Sequence, residues 1–212
     1  MAIDDPRQVL SGQSDGQSRL RYIAGKIICQ QGDPANVLFY VERGHIAISV
    51  VSPTGNEAVI GLRGQGDFFA VRSLMSGSRR LLTATALTES TIVRIRKSAA
   101  AILLRERSEF AEMFIAYLLR QKLRDQENII NQLTNGAEGR LARTLLQIAD
   151  WNATGTGEIQ LDQTMLANLI GATRGRVNFI MNKFKRHGLI EYDRRGIVIA
   201  RDALLKALGD VK

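Results

Sequence analysis

In 212 residues the chain has one cysteine, Cys29, and two histidines, His45 and His187. A single thiol excludes an intrachain disulfide, and a cytoplasmic location is the default expectation. An iron–sulfur cluster takes several thiolates and a protein zinc site several Cys or His ligands, so neither is expected, nor any other metal or cofactor. No stretch approaches the roughly 18 consecutive apolar residues that mark a membrane span. The opening MAIDDPRQVLSGQSDGQSRL has acidic residues and no apolar centre, so it is no signal peptide and reads as a flexible polar arm over 1–18. No glycine pattern of the Walker or dinucleotide type occurs; the glycines punctuate turns. Cys29 and His45 fall on expected strands with no third group to orient them, which reads as a buried thiol rather than a nucleophile. An enzyme is not expected.

What is present is an ordinary core-forming composition, 45% hydrophobic and 24% charged, with a net charge of +8. The charge is unevenly spread. From Gly171 to Arg186 there are five basic side chains and no acidic one, so that segment should lie against something negative.

Three regions follow one another. Residues 19–107 hold short apolar runs, such as Ile46–Val50 and Thr91–Ile95, between turn clusters such as Gly32-Asp33-Pro34 and Arg63-Gly64-Gln65-Gly66-Asp67. Turns at about ten-residue intervals argue a sandwich or barrel-like roll. A short helix near Ser98–Leu104 is then followed by a long one over about 108–135, on which Leu119, Leu123, Gln126, Ile130 and Leu133 alternate at +4 and +3. That is the a/d seam of a two-chain coiled coil. The other reading is a helix packed on its own β-domain. Residues 137–212 read as a helix, the loop ATGTGE, a helix Gln163–Ile170, a second helix Arg174–Arg186, a small hairpin turning at 193–196 and a closing helix over 202–208. Gly171 suits a helix C-terminus and Thr173 an N-cap, while Val177, Ile180, Met181 and Phe184 mark a buried face. Helix, three-residue turn, helix and hairpin is the winged helix-turn-helix arrangement.

In such a unit the second helix enters the major groove N-terminus first. Arginine suits its first turns because the guanidinium fork can donate two bonds to guanine, and lysine at the far end suits phosphate. The expected base-facing residues are Arg174, Arg176 and Asn178, with Gly175 among them. Thr164, Thr173, Lys183 and the wing residues Arg194 and Arg195 are expected on the backbone.

The residues now in view resemble the family of the cyclic AMP receptor protein and the fumarate–nitrate reduction regulator, the Crp/Fnr family. Gly25-Lys26, Gly32-Asp33, Phe39-Tyr40-Val41, Gly44 and Gly66-Asp67-Phe68 resemble its cyclic-nucleotide-binding-type β-roll. The long helix resembles its dimerisation helix. Leu166-Ala167, Gly171, Thr173-Arg174, Val177 and Gly188-Leu189-Ile190 resemble its winged helix. The resemblance implies an α+β chain with an N-terminal jelly-roll sensor fold, acting as a homodimeric regulator on double-stranded DNA, with RNA polymerase as a further partner and no membrane association. The rival is a cyclic-nucleotide-responsive signalling module whose C-terminal domain contacts protein.

Two departures bear on function. The family's recognition helix commonly begins Ser-Arg-Glu-Thr-Val-x-Arg, whereas this chain has Thr173-Arg174-Gly175-Arg176-Val177-Asn178-Phe179. Glutamate accepts from cytosine and glycine cannot, so the half-site should differ from the family's usual one. The family's effector pocket carries Gly-Glu for the ribose hydroxyl and Arg-Ser for the cyclic phosphate. Aligned without gaps from Gly66-Asp67-Phe68, those positions are Ala70-Val71 and Leu81-Leu82. The expected pocket is therefore Ala70, Val71, Arg72, Arg79, Arg80, Leu81 and Leu82, lacking the carboxylate. Arg79 or Arg80 can approach a phosphate only by a shift in register. Cyclic AMP is not expected to be the effector, and another small organic effector is left open.

Overall fold

Turn residues cut the N-terminal half into short strands, which pair into two facing sheets. The computed structural model of the chain describes residues 10, 15–55, 57–75, 77, 79–153, 163–192 and 197–209. One sheet has the order β1 (Gln17–Tyr22), β8 (Ser90–Arg96), β3 (Val37–Arg43), β6 (Phe68–Phe69). The other has the order β2 (Ile27–Cys29), β7 (Thr83–Ala86), β4 (Ile46–Val51), β5 (Glu57–Arg63). All pairings are antiparallel. Strand β3 is an unbroken apolar run because both of its faces are covered. Phe39 and Val41 face the second sheet, Phe39 stacking at 4.8 Å on its neighbour Phe69 of β6, while Leu38 and Tyr40 face the helices. Gly44 joins β3 to β4 at φ 94°, and a Cβ there would lie 2.7 Å from the Glu89 carbonyl oxygen, so the tight turn requires glycine.

One expectation needed correction. The polar arm ends earlier than residue 18: Gln17 and Ser18 pair with β8, and Leu10 is buried beside Ala99 and Phe110. An isolated leucine in a polar stretch carries no periodic signal of its destination.

Helix α1 (Lys97–Glu106) leads into α2 (Ser108–Thr134). The reading of a helix packed on its own β-domain holds for the first half of α2. Phe110, Met113, Phe114 and Tyr117 recur at helical spacing and are buried on the β-roll, with the Tyr117 hydroxyl donating to the Phe68 carbonyl at 2.5 Å. Beyond Tyr117 the helix leaves the roll, and Leu119, Leu123, Ile130 and Leu133 are 59%, 60%, 58% and 81% exposed. Arg124 ties this second half back to the roll through Asp67 at 2.7 Å.

The C-terminal unit comprises α3 (Ala137–Ala153), α4 (Gln163–Ile170), α5 (Arg174–Arg186), β9 (Ile190–Tyr192), β10 (Ile197–Ile199) and α6 (Arg201–Gly209). Leu141, Leu145, Leu166, Ile170, Val177 and Phe184 fill its core, and Ala47 and Leu62 of the second sheet share it. The ATGTGE loop beyond Ala153 and the wing turn with Arg194 and Arg195 lie outside the described residues. No helix among the described residues is long and apolar enough to cross a membrane.

Cys29 and His45 are among the titratable groups that the roll buries. Burial pushes the Cys29 thiol up, keeping it protonated, and lowers the His45 imidazole to about 4. An unfolded histidine titrates near 6.5, so the unfolded chain takes up this proton first. Stability should therefore be lost as pH falls from about 6.5 toward 4, with a full effect on the order of 3 kcal/mol. Urea unfolding across that window should show the slope in the wild type and a flatter profile in His45→Gln.

Candidate nucleic-acid interface

The turn between α4 and α5 is built by its two end residues. Gly171 adopts φ 60°, and the Ala172 N–H returns to the Ala167 carbonyl at 3.0 Å, closing α4 in the left-handed C-terminal manner. Thr173 begins α5, its Oγ1 accepting from the Arg176 N–H at 3.2 Å. With Val177, Ile180, Met181 and Phe184 buried, α5 presents Arg174, Gly175, Arg176, Asn178 and Phe179 to solvent. Two arginines beside the positive end of a helix form a surface suited to an anion, and Thr164 is exposed on α4.

Three expected contacts are placed differently from the simplest expectation. Asn178 is exposed, but its Oδ1 already accepts from Gln163 at 3.1 Å and from Asn182 at 3.2 Å. Bidentate reading of adenine needs both ends of the amide, so that network must open first. Lys183 is not a free cation: its Nζ lies 2.7 Å and 2.9 Å from the two carboxylate oxygens of Glu138 on α3. Arg176 turns along its own helix, with Cζ 5.5 Å from the Phe179 ring centroid. Lys183→Ala should accordingly leave the salt dependence of DNA binding almost unchanged, whereas Glu138→Ala should steepen it by releasing one charge. Titration of a duplex over a range of salt measures both slopes.

Arg140 was not singled out from the sequence. Its Nε donates to the Ile170 carbonyl at 2.8 Å and its Nη1 to the Asn135 carbonyl at 2.7 Å. One guanidinium thus joins the C-terminal ends of the long helix and of α4. The partners lie 5 and 30 residues away, so no local pattern could reveal it.

A second site lies between the roll and α2. A cavity of about 200 Å³ is lined by Ala70, Val71, Arg72, Arg80, Leu81 and Leu82, together with Ser73 and, on α2, Tyr117, Leu118, Gln121 and Asp125. Arg79 does not line it; it is exposed and donates to the Gly32 carbonyl at 2.8 Å. Arg80 is the buried member of the pair, stacked 4.9 Å over Phe39 and donating to the Val37 carbonyl at 3.3 Å. Ala70 takes φ 58° just ahead of the short 3₁₀ helix Val71–Leu74, a backbone that favours glycine. Burial raises the Tyr117 phenol, which therefore remains a proton donor at the cavity wall.

The cyclic nucleotide-binding domain family matches residues 19–107, and the Crp-like helix-turn-helix domain family matches residues 139–208. A CRP-like cAMP-activated global transcriptional regulator of Mycobacterium tuberculosis is 27% identical over 181 residues, covering 83% of this chain and 81% of that protein. The cyclic AMP receptor protein of Thermus thermophilus is 26% identical over 205 residues, covering 96% and 93%. Among solved structures, a CRP-family transcriptional regulator of Thermus thermophilus superposes with a TM-score of 0.77 at 23% identity, covering 90% of this chain and 96% of that one. The c-di-GMP responsive global regulator CLP of Xanthomonas campestris superposes with a TM-score of 0.71 at 21% identity, covering 92% and 97%. These two likenesses concern the fold.

Proposed function

The chain belongs to the Crp/Fnr family of DNA-binding transcription regulators, not to a family of enzymes, and on that premise we propose that it acts as a homodimer on a near-palindromic DNA site without cyclic AMP. The observation that carries the DNA reading is the exposed Arg174–Arg176 end of α5, set off by a capped turn and free of acidic neighbours in sequence. A run of five basic residues on one helix favours a polyanion such as DNA over an ordinary protein surface. Mobility shift against random-sequence DNA at two salt concentrations separates the readings, because phosphate contacts make affinity fall steeply with salt.

The exposed seam of α2 supports the homodimer. Leucines and isoleucines at a/d spacing over several turns cost free energy in water and gain it against a second copy. RNA polymerase is the further partner proposed for a regulator of this kind.

Independence from cyclic AMP is supported by the cavity. The ribose hydroxyl needs an acceptor, and Val71 stands where the family's carboxylate is expected. Leu81 is exposed and apolar at the phosphate position. Arg80 lines the cavity beside it and is a cation that a phosphate would meet, so the missing ribose acceptor carries the loss, about ten- to a hundredfold in affinity. Calorimetry with cyclic AMP should show no binding at micromolar concentration, and operator affinity should be unchanged by the nucleotide. Micromolar binding with tighter operator affinity would overturn this part of the reading.

A further inference from the structure

We propose that the cavity between the roll and α2 binds a small monocarboxylic acid with an apolar body. This rests on reading the chain as a regulator with a sensor domain. Arg80 is only 7% exposed, and among the described residues it makes no ion pair and its Nη1 has no hydrogen-bond partner. Ser73 is fully buried and its Oγ is also without a partner. Both line the same cavity. A buried guanidinium held by one carbonyl, a ring face and the neutral Cys29 thiol, with no carboxylate beside it among the described residues, leaves much of its desolvation uncompensated. A carboxylate fits it: one charge, two oxygens matched to the guanidinium fork, and a second donor available from Ser73.

The rest of the ligand follows from size and walls. A cavity of about 150 Å³ holds benzene, and drug-sized ligands take about 300 Å³ or more. The 200 Å³ here accommodates one ring or a short chain, not a purine, a ribose and a cyclic phosphate together. Ile48, Phe69, Leu82 and Leu118 supply apolar surface for that body.

The test titrates purified full-length protein with benzoate, hexanoate and 3-phenylpropanoate, with the uncharged amide of each, and with cyclic AMP. At least one carboxylate should bind with a Kd below about 1 mM. Its amide should bind about 30-fold more weakly, as should the carboxylate to Arg80→Gln. Because Arg80→Gln could fail to fold, Ser73→Ala is measured alongside and should weaken the carboxylate by about 5-fold. Equal binding of acid and amide, no acid binding at 1 mM, or cyclic AMP binding more tightly than every acid would each overturn the proposal. Ligand-free mobility shift of the same preparations reports DNA binding separately, so a failed titration with an intact shift removes the ligand class and not the regulator.

A different observation carries a second inference: we infer that Phe179 and Arg176 together read a thymine–guanine step. Phe179 is 55% exposed on the face that carries Gly175 and Asn178, and its ring supports the Arg176 guanidinium. The stacked pair has less rotamer freedom to lose on binding. Arginine recognises guanine O6 and N7, and phenylalanine the thymine methyl. At Gly175 a Cβ would meet nothing within 4 Å, so the helix can approach the bases closely there. This rests on the DNA reading. Deoxyuridine replaces each thymine of the selected half-site in turn, removing only the methyl group. At one position the wild type should weaken about 4-fold, while Phe179→Ala binds thymine and deoxyuridine equally. Indifference of the wild type at every thymine, or a half-site with no thymine, would overturn it; absence of any DNA binding would instead overturn the parent reading.

Discussion

Replacing Leu123 and Ile130 together with glutamate should convert the protein to a monomer and abolish binding to a two-half-site operator. Both side chains are more than half exposed in the isolated chain, so neither contributes to the fold of the protomer. In a two-chain seam each would bury apolar surface stabilising the dimer by about 1.5–3 kcal/mol. Glutamate removes that gain and places a carboxylate where no partner can solvate it. The loss falls on both chains, enough to exceed the stability of an ordinary dimer. DNA binding follows, because the second recognition helix benefits from the first only while the two are joined, an advantage of about 100-fold or more. Sedimentation velocity reads the mass and mobility shift the affinity. The double variant should unfold like the wild-type protomer, since Phe110, Met113, Phe114 and Tyr117 still dock the other half of the helix. A wild type that sediments as a monomer at micromolar concentration would contradict dimerisation through α2.

The second large effect is at Arg174. It is exposed at the first position of α5, and no acidic residue lies between Gly171 and Arg186. Arg174→Ala should lose discrimination at one base pair of each half-site, about 1–3 kcal/mol per contact, and relax the selected motif there. The other positions of the motif should keep their preferences. An unchanged motif would reassign Arg174 to the phosphates.

The helix-turn-helix was legible because its information is local. Gly171, Thr173 and the spacing of Val177, Ile180, Met181 and Phe184 lie within 14 residues, and α4 and α5 begin and end where the sequence places them. The β-roll was legible as a class, from turn spacing, while the pairing order of its strands was not. The larger misplacements concern contacts over long separations. Lys183 reads as a solvated cation until Glu138, 45 residues away, is found beside it. The two arginines at 79 and 80 read alike, and only the bridge from Arg79 to Pro34 and the turn around it send one outward and the other in. The long helix reads as seam or core along its whole length, because a single helical pattern does not reveal where the roll ends beneath it and the apolar side chains become exposed. The residues of the wing remain an expectation from the sequence.

Selection of bound sites from a random duplex pool, with the wild-type chain and no added nucleotide, tests the central claim most directly. The account predicts enrichment of an inverted repeat whose half-site centres are about 34 Å apart, one turn of DNA. No enrichment, or enrichment of a single half-site with no symmetric mate, would contradict it.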